Sequence, residues 1–140
     1  DVSPVLAVAR REAPYPVLAP VNLPAQWRPT KVAWEPVGRP ALDGEPSPRN
    51  AWRLGYLNPN DVYVALEQGD RAPNDLVRQA TREGRVDGSS TVSGVPWERR
   101  VSPDGRTRAL VLTSPAVTSV VAGDVSYGAL EDFAATLRDR

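Results

Sequence analysis

Acidic side chains are the first residues here whose types and spacing could do chemistry. Glu67 and Asp70 flank one segment, and Glu131-Asp132 stand together near the C-terminus. Two carboxylates facing across a cleft are what glycoside hydrolysis requires. Asp70 and Asp124, however, each stand just before a predicted helix, where Asp caps backbone N–H groups and complements the helix dipole. Capping is the expected role of both. Asn58-Pro59-Asn60-Asp61 offers oxygens at short spacing, but a calcium loop needs more of them and a closing Glu. It reads as a hairpin turn, and no metal site is expected. The hydroxyls of Asp87-Gly88-Ser89-Ser90-Thr91 and Ser93-Gly94 would need a base to become nucleophiles. The chain has no His and no Cys, which removes Ser-His-Asp triads, thiolate nucleophiles and zinc sites built from those ligands. The single lysine, Lys31, falls in a predicted strand far from these serines. The glycines are isolated, so there is no phosphate-cradling loop. Nothing here points to an enzyme or a cofactor.

The aromatic set offers a different chemistry, that of binding. Trp27, Trp52 and Trp97 are the candidates for lining a groove that takes a small ligand or a glycan. Strand alternation competes with that role. It places Trp34, Trp52 and Tyr56 on inward faces, where large aromatics commonly form core.

These side chains must be positioned by an alternation of strands and helices. Residues 2–13 pattern as a helix, with Ser3 as cap, Pro4 at its first position and Val2, Val5, Leu6, Ala9 and Ala13 on one stripe. The next stretch, 14–29, carries five prolines interleaved with Val17, Leu18, Val21, Leu23 and Trp27. A flexible linker lacks large apolar residues, and a polyproline ligand is exposed and less apolar. The stretch is therefore read as an ordered strap that delivers Trp27 to the core edge. Strands follow at 30–35, 51–57 and 62–67, with 36–49 as a flexible Pro/Gly-rich loop. A helix over 73–83 stops at Gly84, and 85–91 reads as a polar loop. Strands at 95–101, 107–113 and 116–122 precede a last helix over 126–138, capped by Ser126. Gly69-Asp70 and Gly123-Asp124 recur 54 residues apart, each after a strand and before a helix. This suggests a repeated strand–strand–strand–helix unit. The expectation is a single α+β domain over 1–140, with a six-stranded, mostly antiparallel sheet and three helices.

Composition sets the outer limits. A chain of 140 residues is long enough for one self-supporting core. The net charge is zero and the arginines are interspersed with acids. A nucleic-acid partner is therefore not expected, since phosphate binding draws on a basic face. No apolar run approaches the roughly 20 residues of a membrane span. The sequence lacks Met even at position 1, which reads as a processed or excised chain with room for an anchor before Asp1.

Several segments, taken in order, resemble one family. They are Tyr15-Pro16-Val17-Leu18-Ala19-Pro20, Leu23-Pro24-Ala25-Gln26-Trp27-Arg28-Pro29 and Trp52-Arg53-Leu54-Gly55-Tyr56. They continue with Ala65-Leu66-Glu67-Gln68, Val92-Ser93-Gly94-Val95-Pro96-Trp97-Glu98, Val121-Ala122-Gly123 and Leu130-Glu131-Asp132-Phe133-Ala134-Ala135-Thr136-Leu137. Together they are similar to the actinobacterial domain-of-unknown-function family DUF4245. The resemblance implies one N-terminal transmembrane helix, absent from these residues, and an extracytoplasmic domain at the cell membrane. It implies no catalytic residues. The doubled unit is also similar to the Mog1/PsbP-like fold. The expected function is a non-catalytic binding or scaffolding module at the cell envelope, with a protein partner. The alternative is a small-ligand or glycan sensor with an aromatic-lined groove.

Overall fold

The computed structural model describes residues 1–140 throughout. In chain order the elements are α1 (Ser3–Glu12), β1 (Ala19–Pro20), β2 (Arg28–Glu35), β3 (Ala51–Leu57), β4 (Tyr63–Gly69), α2 (Pro73–Ala80), β5 (Arg85–Val92), β6 (Val95–Val101), β7 (Arg108–Thr113), β8 (Thr118–Gly123), α3 (Tyr127–Ala134) and β9 (Leu137–Arg138). The fold is α+β, with three helices and one large antiparallel sheet in the order β2-β3-β4-β8-β7-β6-β5. No helix is long and apolar enough to cross a membrane.

The sheet has seven strands, not six. The added one is β5, the stretch read as a polar loop. Polar residues form a strand here because β5 is an edge with most of its side chains in solvent. Its pairing is set by Ser93-Gly94, the two-residue connection to β6, whose φ angles are +50° and +80°. Both signs match the hairpin turn whose twist suits flanking strands.

Alternation along the strands gives the sheet two unlike faces. Trp52, Leu54, Tyr56, Val64, Leu66, Trp97, Leu110 and Val121 point to one face, where they pack with Ala9 of α1, with Tyr15, Val17 and Ala19 of the strap, and with Leu130 and Phe133 of α3. Trp27 stacks on Phe133 with ring centroids 5.5 Å apart. Of the helices, the opposite face carries only α2, which lays Val77 and Ala80 over Ala109, Val111 and Val120.

This two-sidedness bears on the suggested repeat. An offset of 54 carries Leu66 onto Val120, yet Leu66 faces the large core and Val120 faces α2. A rotation relating adjacent antiparallel strands about the sheet normal would keep both on one face. The matched spacing is therefore not matched in packing, and the Mog1/PsbP-like doubled unit is not confirmed.

The proline-rich stretch is ordered chain laid on the large core. A strap without a full ladder must find partners for its buried backbone groups, and here side chains supply them. Gln68 accepts from the Leu18 N–H at 2.9 Å and donates to the Pro16 carbonyl at 3.2 Å. The Trp52 indole donates to the Leu18 carbonyl at 2.8 Å, and the Tyr15 hydroxyl to the Asn50 carbonyl at 2.8 Å. The strap then pairs Ala19–Pro20 with Leu137–Arg138. α3 accordingly ends at Ala134, not at 138, because the last residues leave the helix to form β9. α2 stops at Ala80, not 83, because Arg82 and Glu83 take left-handed backbone conformations. Ser3 does not cap α1 through its side chain; its N–H instead donates to Asp1 at 3.1 Å. The 36–49 segment folds back on itself, with a Pro40–Pro46 bridge and the Leu42 N–H donating to Glu35 at 2.7 Å.

Candidate functional site

The three candidate tryptophans are built into the core. Trp52 is fully enclosed and Trp97 is 4% exposed, while Trp27 is partly buried against Phe133 and Tyr56. Trp97 borders a shallow pocket with Ser89, Pro96 and Leu112 that includes neither of the others. Their ring faces are already in contact with protein, and the structure does not assemble them into one groove.

The acids are engaged as well, and not as helix caps. Asp70 accepts from the Asn50 N–H at 2.9 Å and from its side-chain amide at 2.7 Å. Asp124 pairs with Arg106 at 3.6 Å. α2 has no side-chain cap, and Ser126 caps α3 by accepting from the Ala129 N–H. In the Asn58–Asp61 turn, the Asn58 side chain accepts from the Asn60 and Val62 N–H groups.

One polar cluster holds a serine against a carboxylate. Ser90, buried, donates to Glu131 at 2.6 Å and accepts from Arg99 Nε at 2.7 Å. Arg99 also pairs with Glu131 at 3.2 Å and stacks 4.6 Å over the Tyr127 ring. Tyr127 in turn donates to Asp87 at 2.6 Å. The Ser90 hydroxyl and then Arg99 hold the Glu131 carboxyl below its ordinary range. A carboxylate of lowered basicity is a weaker general base. Burial, then the bond to Asp87, pushes the Tyr127 phenol up to about 12. The cluster ties the edge hairpin β5–β6 to α3.

The open cavity lies on the other face, beside α2. It has a volume of about 370 Å³ and runs between β2, β4, β8 and the end of α2. Its floor is Ala65, Val120 and Ala122, with Val62 and Ala80 at the sides. Tyr63 stands over the strand where Gly55 has no side chain: a Cβ at Gly55 would meet the Tyr63 ring. The polar lining is Lys31, Tyr63, Glu67, Gln79, Arg82, Thr107 and Asp124. Glu67 faces Arg53 at 3.6 Å, and Arg53 holds the buried Glu35 at 2.9 Å. Both acids of the cavity thus have arginine partners outside its lining. Lys31 and Arg82 belong to no ion pair. A family model described as "Protein of unknown function (DUF4245)" matches residues 1–137.

The chain belongs to DUF4245. No curated protein and no solved structure matches it. Within this DUF4245 domain, Lys31, Glu67 and Asp124 drew notice in the sequence for other reasons. Gln79, Arg82 and Thr107 carried no signal, since Gln79 and Arg82 at the end of α2 meet Thr107, from the turn before β7, only through the fold. Arg82 was hidden further by the helix end, which periodicity sets too late.

Proposed function

We propose that this domain is a non-catalytic binding module that takes a small ligand in the cavity beside α2. The observation that carries the reading is the pairing pattern of its charges. The cavity's acids have arginine partners, while Lys31 and Arg82 have none. A volume of about 370 Å³ is within the range of small-molecule sites, which combine apolar walls with a few polar groups. The absence of a serine or acid with a competent base beside it favours binding over catalysis. The domain's place, in this reading, is outside the cell membrane, held by a single N-terminal transmembrane helix of an actinobacterial protein. α1 packs on the face opposite the cavity, so an anchor leading into α1 leaves the cavity open.

A second reading, a scaffold for an envelope protein, draws on exposed apolar side chains. Leu42 is 65% exposed and Val86 57%. They lie on separate elements, the 36–49 segment and β5, which favours the small-ligand reading. Crosslinking the full-length anchored protein in cells, followed by mass spectrometry, separates the two. Under the small-ligand reading, no protein is captured reproducibly. A partner whose capture is lost on Val86→Ser or Leu42→Ser would replace it with the scaffold.

A further inference from the structure

Two grooves flank α2, and their charges are arranged differently. In the groove toward β6, the charged residues are Arg78, Glu83, Glu98 and Arg100. Arg78 pairs with Glu83 at 3.4 Å, and Arg100 with Glu98 at 2.7 Å. That groove is neutral within itself. In the groove toward β2, the acids are drawn outward to Arg53 and Arg106 and the two cations are left over. Lys31, half-buried and lacking a counter-charge, is stabilised by an anion brought to it, and Arg82 lines the same cavity from an exposed position.

The backbone at the end of α2 sets where Arg82 stands. Arg82 and Glu83 sit at φ +53° and +61°, a region that side chains disfavour and glycine tolerates. The turn is held there by the Arg82 N–H to Gln79 carbonyl bond at 3.2 Å and the Glu83 N–H to Arg78 carbonyl bond at 2.8 Å. Keeping an arginine at such a position costs stability relative to glycine. This conformation turns the chain back at the end of α2, where Arg82 lines the cavity.

We propose that this cavity takes a small organic anion, a carboxylate or phosphate on a compact apolar body, with Lys31 and Arg82 as its charge partners. Tyr63 and Gln79 supply neutral donors, and Val120 and Ala122 receive the apolar part. The inference rests on the reading of the cavity as a binding site.

The test uses the 140-residue chain and probes that differ only in their polar end. Amide chemical shifts are followed during titration with hexanoate, hexyl phosphate, 1-hexanol and hexylammonium. The expected result is that an anionic probe moves the amides of Tyr63, Ala80 and Gly123, while hexylammonium does not. Lys31→Met should weaken that binding about tenfold, and added salt should weaken it further. Arg82→Gly should weaken it similarly while raising Tm, which separates loss of binding from loss of folding. Equal binding of 1-hexanol and the anions would overturn the charge assignment and leave the cavity reading standing. Anion binding unchanged in both variants would place the anion elsewhere. If no probe moves the cavity amides, both readings fall.

Discussion

The Gln68 carboxamide holds the Leu18 backbone, accepting its N–H at 2.9 Å from the interior strand β4. Gln68 is 1% exposed and also reaches Pro16 and Ser119. It is a buried polar residue whose donor and acceptor groups are all used, the condition under which burial is tolerated. The strap owes its position to it.

Replacing Gln68 should therefore detach the strap rather than leave a neutral apolar core. Gln68→Leu strands the Leu18 N–H and the Pro16 carbonyl, and the expected loss is about 2–4 kcal/mol. Urea denaturation measures it. Hydrogen exchange should show the Leu18 amide losing protection before those of β3.

Trp52 holds the other side of the same residue through the Leu18 carbonyl at 2.8 Å. Trp52→Phe and Gln68→Leu should consequently be non-additive. The double variant is expected to lose less than the sum of the singles, with a coupling of about 0.5–3 kcal/mol, because the strap detaches only once. Strict additivity in the double-mutant cycle would show that each bond acts alone.

The β5–β6 connection offers a gain. Ser93 holds φ +50° ahead of Gly94 at +80°, and Asn tolerates that region better than Ser. Ser93→Asn should stabilise the domain by about 0.5–1 kcal/mol, read as a rise in the urea midpoint with an unchanged slope.

Acid stability should depend on Glu131. Its folded-state pKa lies below the ordinary value of 4.5, through Ser90 first and Arg99 second. A depressed folded pKa contributes stability that is present above the unfolded value and lost as pH falls through the folded one. Ser90→Ala should move the Glu131 carboxyl titration upward, followed by side-chain carbon shifts. Glu131→Gln should flatten the stability profile below pH 4.5. An unmoved titration in Ser90→Ala would assign the depression to Arg99.

At the alkaline end the sign reverses. Tyr127 is pushed up to about 12 from 10.0, so its contribution is complete below the unfolded value and lost as pH rises through the folded one. Tyr127→Phe should remove that alkaline loss from the urea-denaturation profile.

Much of this architecture was legible in the residues. The β3 and β6 bounds follow from the large side chains at alternate positions, Trp52-Leu54-Tyr56 in β3 and Trp97 to Val101 in β6, which face the core. Ser126 announces α3 because an N-cap is a local contact. β5 was not legible, since an edge strand needs no apolar face and Arg85–Val92 has scarcely any. The signal that marks it is the Ser93-Gly94 turn, not periodicity. Asp70 and Asp124 misled for a related reason: a helix start is a local cue, and their partners Asn50 and Arg106 come from distant sequence.

What the amino-acid order determined by itself was local: the three helices and six of the strands, an ordered proline-rich strap, the absence of His and Cys chemistry, and a resemblance to the family that the chain proves to belong to. Each depends on residues within a few positions of one another, or on composition. The tertiary structure alone decided that α2 is the one helix on its face of the sheet, that Trp97 is core, and that Lys31 and Arg82 share a cavity without acid partners. Pairing β4 with β8 brings these groups together across long stretches of chain. The alternation along each strand sets which face it buries, but it does not say which distant strand becomes its neighbour.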